Sequence, residues 1–161
     1  FSRLFADKFK LVNAAFTFSA FASAKALEVN TLMNKLNLLS NSIGEEGYEM
    51  LTKMAEEKGM LTLCDFNDGQ TEANLAGKRL TAIDAKLIAR ELTTGFVSAS
   101  ITNLNLYDNS VRSEGAVALG KALEVNASLK SIDLSYCNLG KDGAVAVAKA
   151  LEVNASITKL K

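Results

Sequence analysis

Tyr107, Asp108, Asp133 and Tyr136 are the residues in this chain best suited to gripping another molecule: two aromatics and two carboxylates in one short stretch. An exposed aromatic flanked by hydrogen-bonding groups is a common anchor of protein interfaces. Covalent and hydrolytic chemistry has much less to work with. The 161 residues contain no histidine, which excludes a Ser-His-Asp triad, a Cys-His nucleophile and a histidine-based zinc site. Two separated cysteines, Cys64 and Cys137, make neither a structural zinc site nor a disulfide framework. No phosphate-binding G-x-x-x-x-G-K-[ST] occurs, and Gly77-Lys78-Arg79 is a coincidence of composition. Asp65-x-Asn67-x-Gly69 opens like a calcium loop, but its glycine falls at position five and the closing glutamate is misplaced. Glu45/Glu46 and Glu56/Glu57 are neighbours on solvated helix surface. No catalytic residue, metal ligand or cofactor is expected, and the chain reads as a non-enzyme.

The elements that must position the two tyrosines are repeated. Ile101-x-x-Leu104-x-Leu106-x-x-Asn109-x-Val111 is followed by Leu129-x-x-Ile132-x-Leu134-x-x-Cys137-x-Leu139 and then by Ile157-x-x-Leu160, a constant interval of 28 residues. Apolar residues two apart, as in Leu104/Leu106 and Ile132/Leu134, belong to one face of a short strand. The period then changes: Ala116, Leu119, Ala122 and Leu123 lie three and four apart, one face of a helix. Ser113 and Glu114 read as the helix start. Asn126 and Asn154 follow the last apolar turn, where asparagine tolerates a left-handed helix end. One strand and one helix of this size cannot bury their own apolar face. Stacked copies can, each fully buried Leu or Ile contributing roughly 1.5–3 kcal/mol.

The pattern L-x-x-L-x-L-x-x-N/C-x-L, followed by the helices Gly115-Ala-Val-Ala-Leu-Gly and Gly143-Ala-Val-Ala-Val-Ala, resembles the leucine-rich repeats of the ribonuclease-inhibitor-like subfamily. That subfamily also occurs in innate-immune nucleotide-binding receptors and in the Ran GTPase-activating protein, and its repeat length matches. The resemblance implies an α/β leucine-rich-repeat solenoid, a horseshoe segment with short parallel strands on the concave face and helices on the convex face. It says little about function, because such repeats serve unrelated partners.

Along the chain, a single leucine-rich-repeat domain over 1–161 is expected, with repeats from about 31, 70, 101 and 129 and a truncated repeat from 157. Met33-x-x-Leu36-x-Leu38-x-x-Asn41-x-Ile43 matches the template, and Gly44 opens its helix. Residues 59–69 break the rhythm and read as an insertion loop or a local strand. Gln70-x-x-Ala73-x-Leu75-x-x-Lys78-x-Leu80 is the weakest match, followed by a helix from Asp84 to Leu92. Residues 1–30 carry six of the eight phenylalanines. A secretory signal is one reading of them. A divergent first repeat is the stronger one, since Lys25-Ala-Leu-Glu-Val-Asn30 ends as the later helices do. The missing initiator Met suggests a fragment or a processed chain, and a chain that stops inside a strand template is expected to be either a piece of a longer array or prone to self-association through uncapped solenoid ends.

On this template the residues between the buried leucines line the concave face. They are Lys35, Asn37 and Ser40; Glu72 and Asn74; Asn103, Asn105, Tyr107 and Asp108; Ser131, Asp133, Ser135 and Tyr136; then Lys159. They form the expected surface for a protein partner. Asn41, Asn109 and Cys137 occupy the structural ladder position, donating to backbone carbonyls after each strand. Asn126-Ala-Ser128 and Asn154-Ala-Ser156 match a glycosylation acceptor but read as helix ends. Equal numbers of acidic and basic residues, 18 each, give no electrostatic case for nucleic acid or a membrane. A reducing, cytoplasmic setting is expected from the cysteine usage. The function implied is a non-enzymatic interaction scaffold; the alternatives from the resemblance are a regulator of a small GTPase or an enzyme inhibitor.

Overall fold

The computed structural model describes residues 34–60, 62–94 and 99–161. The proposed first repeat at 1–30 lies outside them. Contacts gather into two compact units, Phe1–Asp65 and Phe66–Lys161, each taken here by itself.

In the first unit, α1 (Gly44–Glu57) places Glu45 and Glu46 in its first turn, where the helix dipole favours them, and buries Gly47, Leu51, Met54 and Ala55. Ahead of it Leu36 and Leu38 are buried and the chain between them is extended. Residues 62–64, part of the stretch that breaks the repeat interval, pair with this segment. Leu36 N–H donates to Thr62 O at 3.0 Å, Leu38 N–H to Leu63 O at 2.9 Å, and Asp65 N–H to Leu36 O at 3.2 Å. Thr62–Cys64 thus lies beside this segment through two isolated bridges, Lys35 with Thr62 parallel and Asn37 with Cys64 antiparallel.

The second unit contains β1 (Glu72–Asn74), α2 (Ala82–Thr93), β2 (Asn103–Asn105), α3 (Arg112–Val125), β3 (Ser131–Asp133), α4 (Gly140–Val153) and β4 (Lys159–Leu160). The four strands form one parallel sheet in chain order. Ala73 pairs with Leu104, Leu104 with Ile132, and Ile132 with Leu160, so the apolar column continues from rung to rung. Leu106 is fully buried and Leu134 is 4% exposed, on adjacent layers of one stack. The ladder continues past the strands through Leu75 N–H to Asn105 O (2.8 Å), Leu106 N–H to Asp133 O (2.9 Å) and Leu134 N–H to Lys161 O (2.7 Å). A short strand is enough, because each rung also rests on a helix layer.

That layer is close-packed at Gly115 and Gly143. A Cβ on Gly115 would sit 2.7 Å from the Ala85 methyl, and one on Gly143 would sit 2.7 Å from the Ala116 methyl. These two equivalent positions let α3 approach α2, and α4 approach α3, at backbone distance. The stripe Ala116, Leu119, Ala122 and Leu123 on α3 is buried, as is Ala85, Ile88, Ala89 and Leu92 on α2.

Three local expectations are corrected. Helix α2 begins at Ala82 rather than Asp84, because Thr81 is its N-cap and forms a capping box with Asp84. Ser113 does not cap α3: the cap residue is Val111, with no side-chain bond, and the Ser113 hydroxyl donates instead to Leu139 O at 2.8 Å. Asn126 and Asn154 are extended, at φ −76° and −82°, not left-handed. They end their helices through their side chains.

Candidate functional site

The strand face of the second unit is built from the exposed side of each rung together with the turn that leaves it. At each exit a side chain two residues upstream folds the turn by accepting a backbone N–H. Asn105 Oδ1 accepts from Tyr107 N–H at 3.0 Å, Asp133 Oδ1 from Ser135 N–H at 3.0 Å, and Asn74 Oδ1 from Ala76 N–H at 3.3 Å. In the first unit Asn37 Oδ1 accepts from Leu39 N–H at 3.0 Å in the same way. One oxygen of each of these four candidate contact residues is therefore committed to local folding. Sequence reading missed this role, although an Asn or Asp between the two strand apolar positions of each repeat was its visible signal.

Beneath the turns runs the ladder. Asn109 is buried; its amide donates to Leu106 O (2.8 Å) and Leu75 O (2.9 Å), and its Oδ1 accepts from Leu80 N–H (2.9 Å). It thereby serves the preceding rung, where Lys78 stands in the ladder column. Cys137 occupies the next ladder position, its thiol donating to Leu106 O at 3.0 Å. Burial pushes that thiol's pKa up; Asn109's backbone N–H works the other way, and the charges of Asp133 and Asp108 add to the rise. A protonated, buried sulfur is a hydrogen-bond donor and a poor nucleophile. In the first unit Asn41 donates to Leu38 O and Leu39 O at 3.0 and 3.2 Å.

Above the ladder the structure brings Tyr107 and Tyr136 together. Their ring centroids lie 5.4 Å apart with the planes 70° from parallel, an edge-to-face contact. Tyr107 is 43% exposed and Tyr136 is 76% exposed. Tyr136 has φ +57°, in the left-handed region. The same exit position holds Ser40, Gly77 and Asp108 on other rungs, all with positive φ. A bulky residue in that conformation costs about 1 kcal/mol, and the exposed ring recovers little of it by burial.

Asp108 is exposed and its carboxylate has no ion pair among the described residues. Asp133 is half-buried. Burial alone would raise its pKa, but the Ser135 N–H and hydroxyl and the nearby Lys161 ammonium outweigh it and hold the carboxyl below its ordinary value. Lys161 Nζ lies 3.5 Å from Asp133 Oδ2. Further along, Asn103 donates weakly to Glu72 Oε1 at 3.5 Å. Glu72, Asn74, Asn103, Asn105, Ser131, Asp133 and Lys161 border a shallow depression of about 240 Å³. Lys35 and Asn37 lie in the first unit. Asn126, in its glycosylation-like triplet, is 5% exposed and its amide donates to Leu92 O at 2.9 Å, so its nitrogen is already used.

Among the described residues no group of three or more His, Cys, Asp or Glu could hold a metal ion, and no helix is long and apolar enough to cross a membrane.

This arrangement is an α/β leucine-rich-repeat fold of parallel rungs and covering helices. A leucine-rich-repeat family model matches residues 125–148, from the end of α3 through β3 into α4. The chain is similar in fold to the solved structure of "Leiomodin-1 Actin-Binding Site 2 (ABS2)", with a TM-score of 0.51 and 24% sequence identity, covering 91% of this chain and 79% of that one. Among curated proteins none matches the sequence.

Proposed function

We propose that the chain is a non-enzymatic protein-interaction module whose strand face binds a protein partner, with Tyr107 and Tyr136 at the centre of the contact. The supporting observation is the tyrosine pair itself. Two aromatic rings stand in solvent in mutual contact, one of them on a strained backbone, where neither ring is needed to fill the core. Residues placed at a cost to stability are commonly placed for binding. Two buried free thiols fit a reducing compartment, and a cytoplasmic setting is part of this reading. So is assignment to the ribonuclease-inhibitor-like subfamily, which rests on the 28-residue interval of the last repeats.

Affinity capture with the chain and with a Tyr107→Ala/Tyr136→Ala variant tests the proposal. A partner recovered by the parent and lost by the variant supports it; equal recovery moves the contact off this face. A second reading follows from the similar solved structure, whose name specifies an actin-binding site. Actin is then the partner, and co-sedimentation with actin, scored for the same variant, decides it. For the small-GTPase and enzyme-inhibitor alternatives the strand face offers no residue to which such a role can be given. A GTP-hydrolysis assay separates the former, which alone requires acceleration.

A further inference from the structure

We infer that the Tyr107–Tyr136 pair is a seat for an arginine side chain of the partner, with the rings stacking on the guanidinium and Asp108 and Asp133 supplying the opposite charge. This rests on the strand-face reading above and adds the partner's chemistry to it.

The geometry comes first. In an edge-to-face pair at 5.4 Å, each ring covers little of the other. With 76% and 43% of the two residues exposed, ring surface is left open to a ligand. No Lys or Arg among the described residues stacks on either ring. An open aromatic face is electron-rich and attracts cations, most effectively a planar, weakly hydrated one.

The charges point the same way. Asp108 directly follows Tyr107, exposed and without an ion pair among the described residues. Asp133 lies one turn before Tyr136 and shares Lys161 at 3.5 Å. Both carboxylates act on the Cys137 thiol, the residue next to Tyr136: after burial, their fields are what raise its pKa. The two carboxylates therefore belong to the same rungs as the rings, Asp108 unpaired among the described residues and Asp133 paired with Lys161. Arginine suits the place better than lysine, since its flat fork can stack on a ring and hydrogen-bond a carboxylate at once. Asp108 is the main counter-charge, because Asp133 must be shared with Lys161.

The test titrates the folded chain with N-acetyl-arginine methylamide and with its neutral isostere N-acetyl-citrulline methylamide, following the tyrosine ring signals by NMR. The arginine compound is expected to shift the Tyr107 and Tyr136 signals and the citrulline compound to leave them nearly unmoved. Tyr136→Leu is expected to weaken the arginine response about two- to fivefold, the range for an exposed cation–aromatic contact. Asp108→Asn is expected to weaken it further than Asp133→Asn. Equal responses to the two compounds, or no response at the rings, overturn the inference. A displayed peptide library selected on the same chain separates this from the broader reading. Arginine-bearing peptides that need the tyrosines support it. Peptides that need the tyrosines but carry no arginine overturn it while leaving the strand face standing. Peptides indifferent to Tyr107→Leu/Tyr136→Leu overturn the strand-face reading itself.

Discussion

Each repeat turns twice, once on leaving the strand and once on leaving the helix, and the two turns are built under different constraints. At the helix exits the same residue does the same work in both copies. Asn126 Oδ1 accepts from Leu129 N–H at 2.8 Å and its amide reaches back to Leu92 O. Asn154 Oδ1 accepts from Ile157 N–H at 2.9 Å and its amide reaches back to Asn126 O at 2.8 Å. The strand exits hold Asn109 in one copy and Cys137 in the next, and above them Asp108 gives way to Tyr136. A helix exit needs a donor and an acceptor on one short side chain, which narrows the choice to asparagine. The strand exit at Cys137 is content with a donor, so it tolerates a thiol. The surface residue above is constrained only by its backbone angle.

The sharpest way to break this contrast is Asn126→Ala, which strands a buried carbonyl and two N–H groups. About 3 kcal/mol of destabilisation is expected in urea unfolding. Cys137→Ala should cost about 1 kcal/mol, a single neutral hydrogen bond with a small cavity. Equal losses would show that the two exits are under the same demand. Between these lies Gly143→Ala, which presses a methyl against Ala116; about 2 kcal/mol is expected, with α4 displaced in a crystal structure of the variant.

The surface position should respond in the opposite direction. Tyr136→Gly removes the left-handed strain and is expected to stabilise the chain by about 0.5–1 kcal/mol while abolishing partner binding. A destabilised variant would mean that the ring contributes to the fold. The smallest effect concerns Asp133. Its carboxyl is held below the ordinary value, so its contribution to stability is present above the unfolded-state pKa of about 3.9 and is lost as pH falls through the folded-state value. Asp133→Asn should therefore lower stability slightly at neutral pH, with the difference from the parent vanishing as pH falls below about 4, so that the acid limb flattens.

Much of the stack was legible because burial imposes a period. Leu104, Leu106, Ile132 and Leu134 had to share one side of their rungs, and the weak third unit still sets Ala73 beside Leu104. The capping roles were less legible. An asparagine after a helix suits either a left-handed backbone or a side-chain clamp, and the choice depends on which carbonyls the neighbouring repeat presents. The same holds for Asn105 and Asp133, which look like surface residues until the turn they fold is seen. For Thr62–Cys64 the pairing partner lies 27 residues upstream, in a segment whose spacing to the next template match had been lengthened. The tyrosine pair lay between these cases: adjacent rungs could be inferred from the interval, but the contact of the two rings depends on side-chain directions that spacing does not carry.

The left-handed exit position has a consequence for how such a chain can change. Ser40, Gly77, Asp108 and Tyr136 all occupy it, a hydroxyl, a hydrogen, an acid and a phenol on the same bend. The bend is fixed from below by buried amide and thiol donors, so whatever projects from it can be exchanged at little structural risk. These exits behave as interchangeable sockets, and recognition could be rewritten there one repeat at a time while the scaffold stays the same.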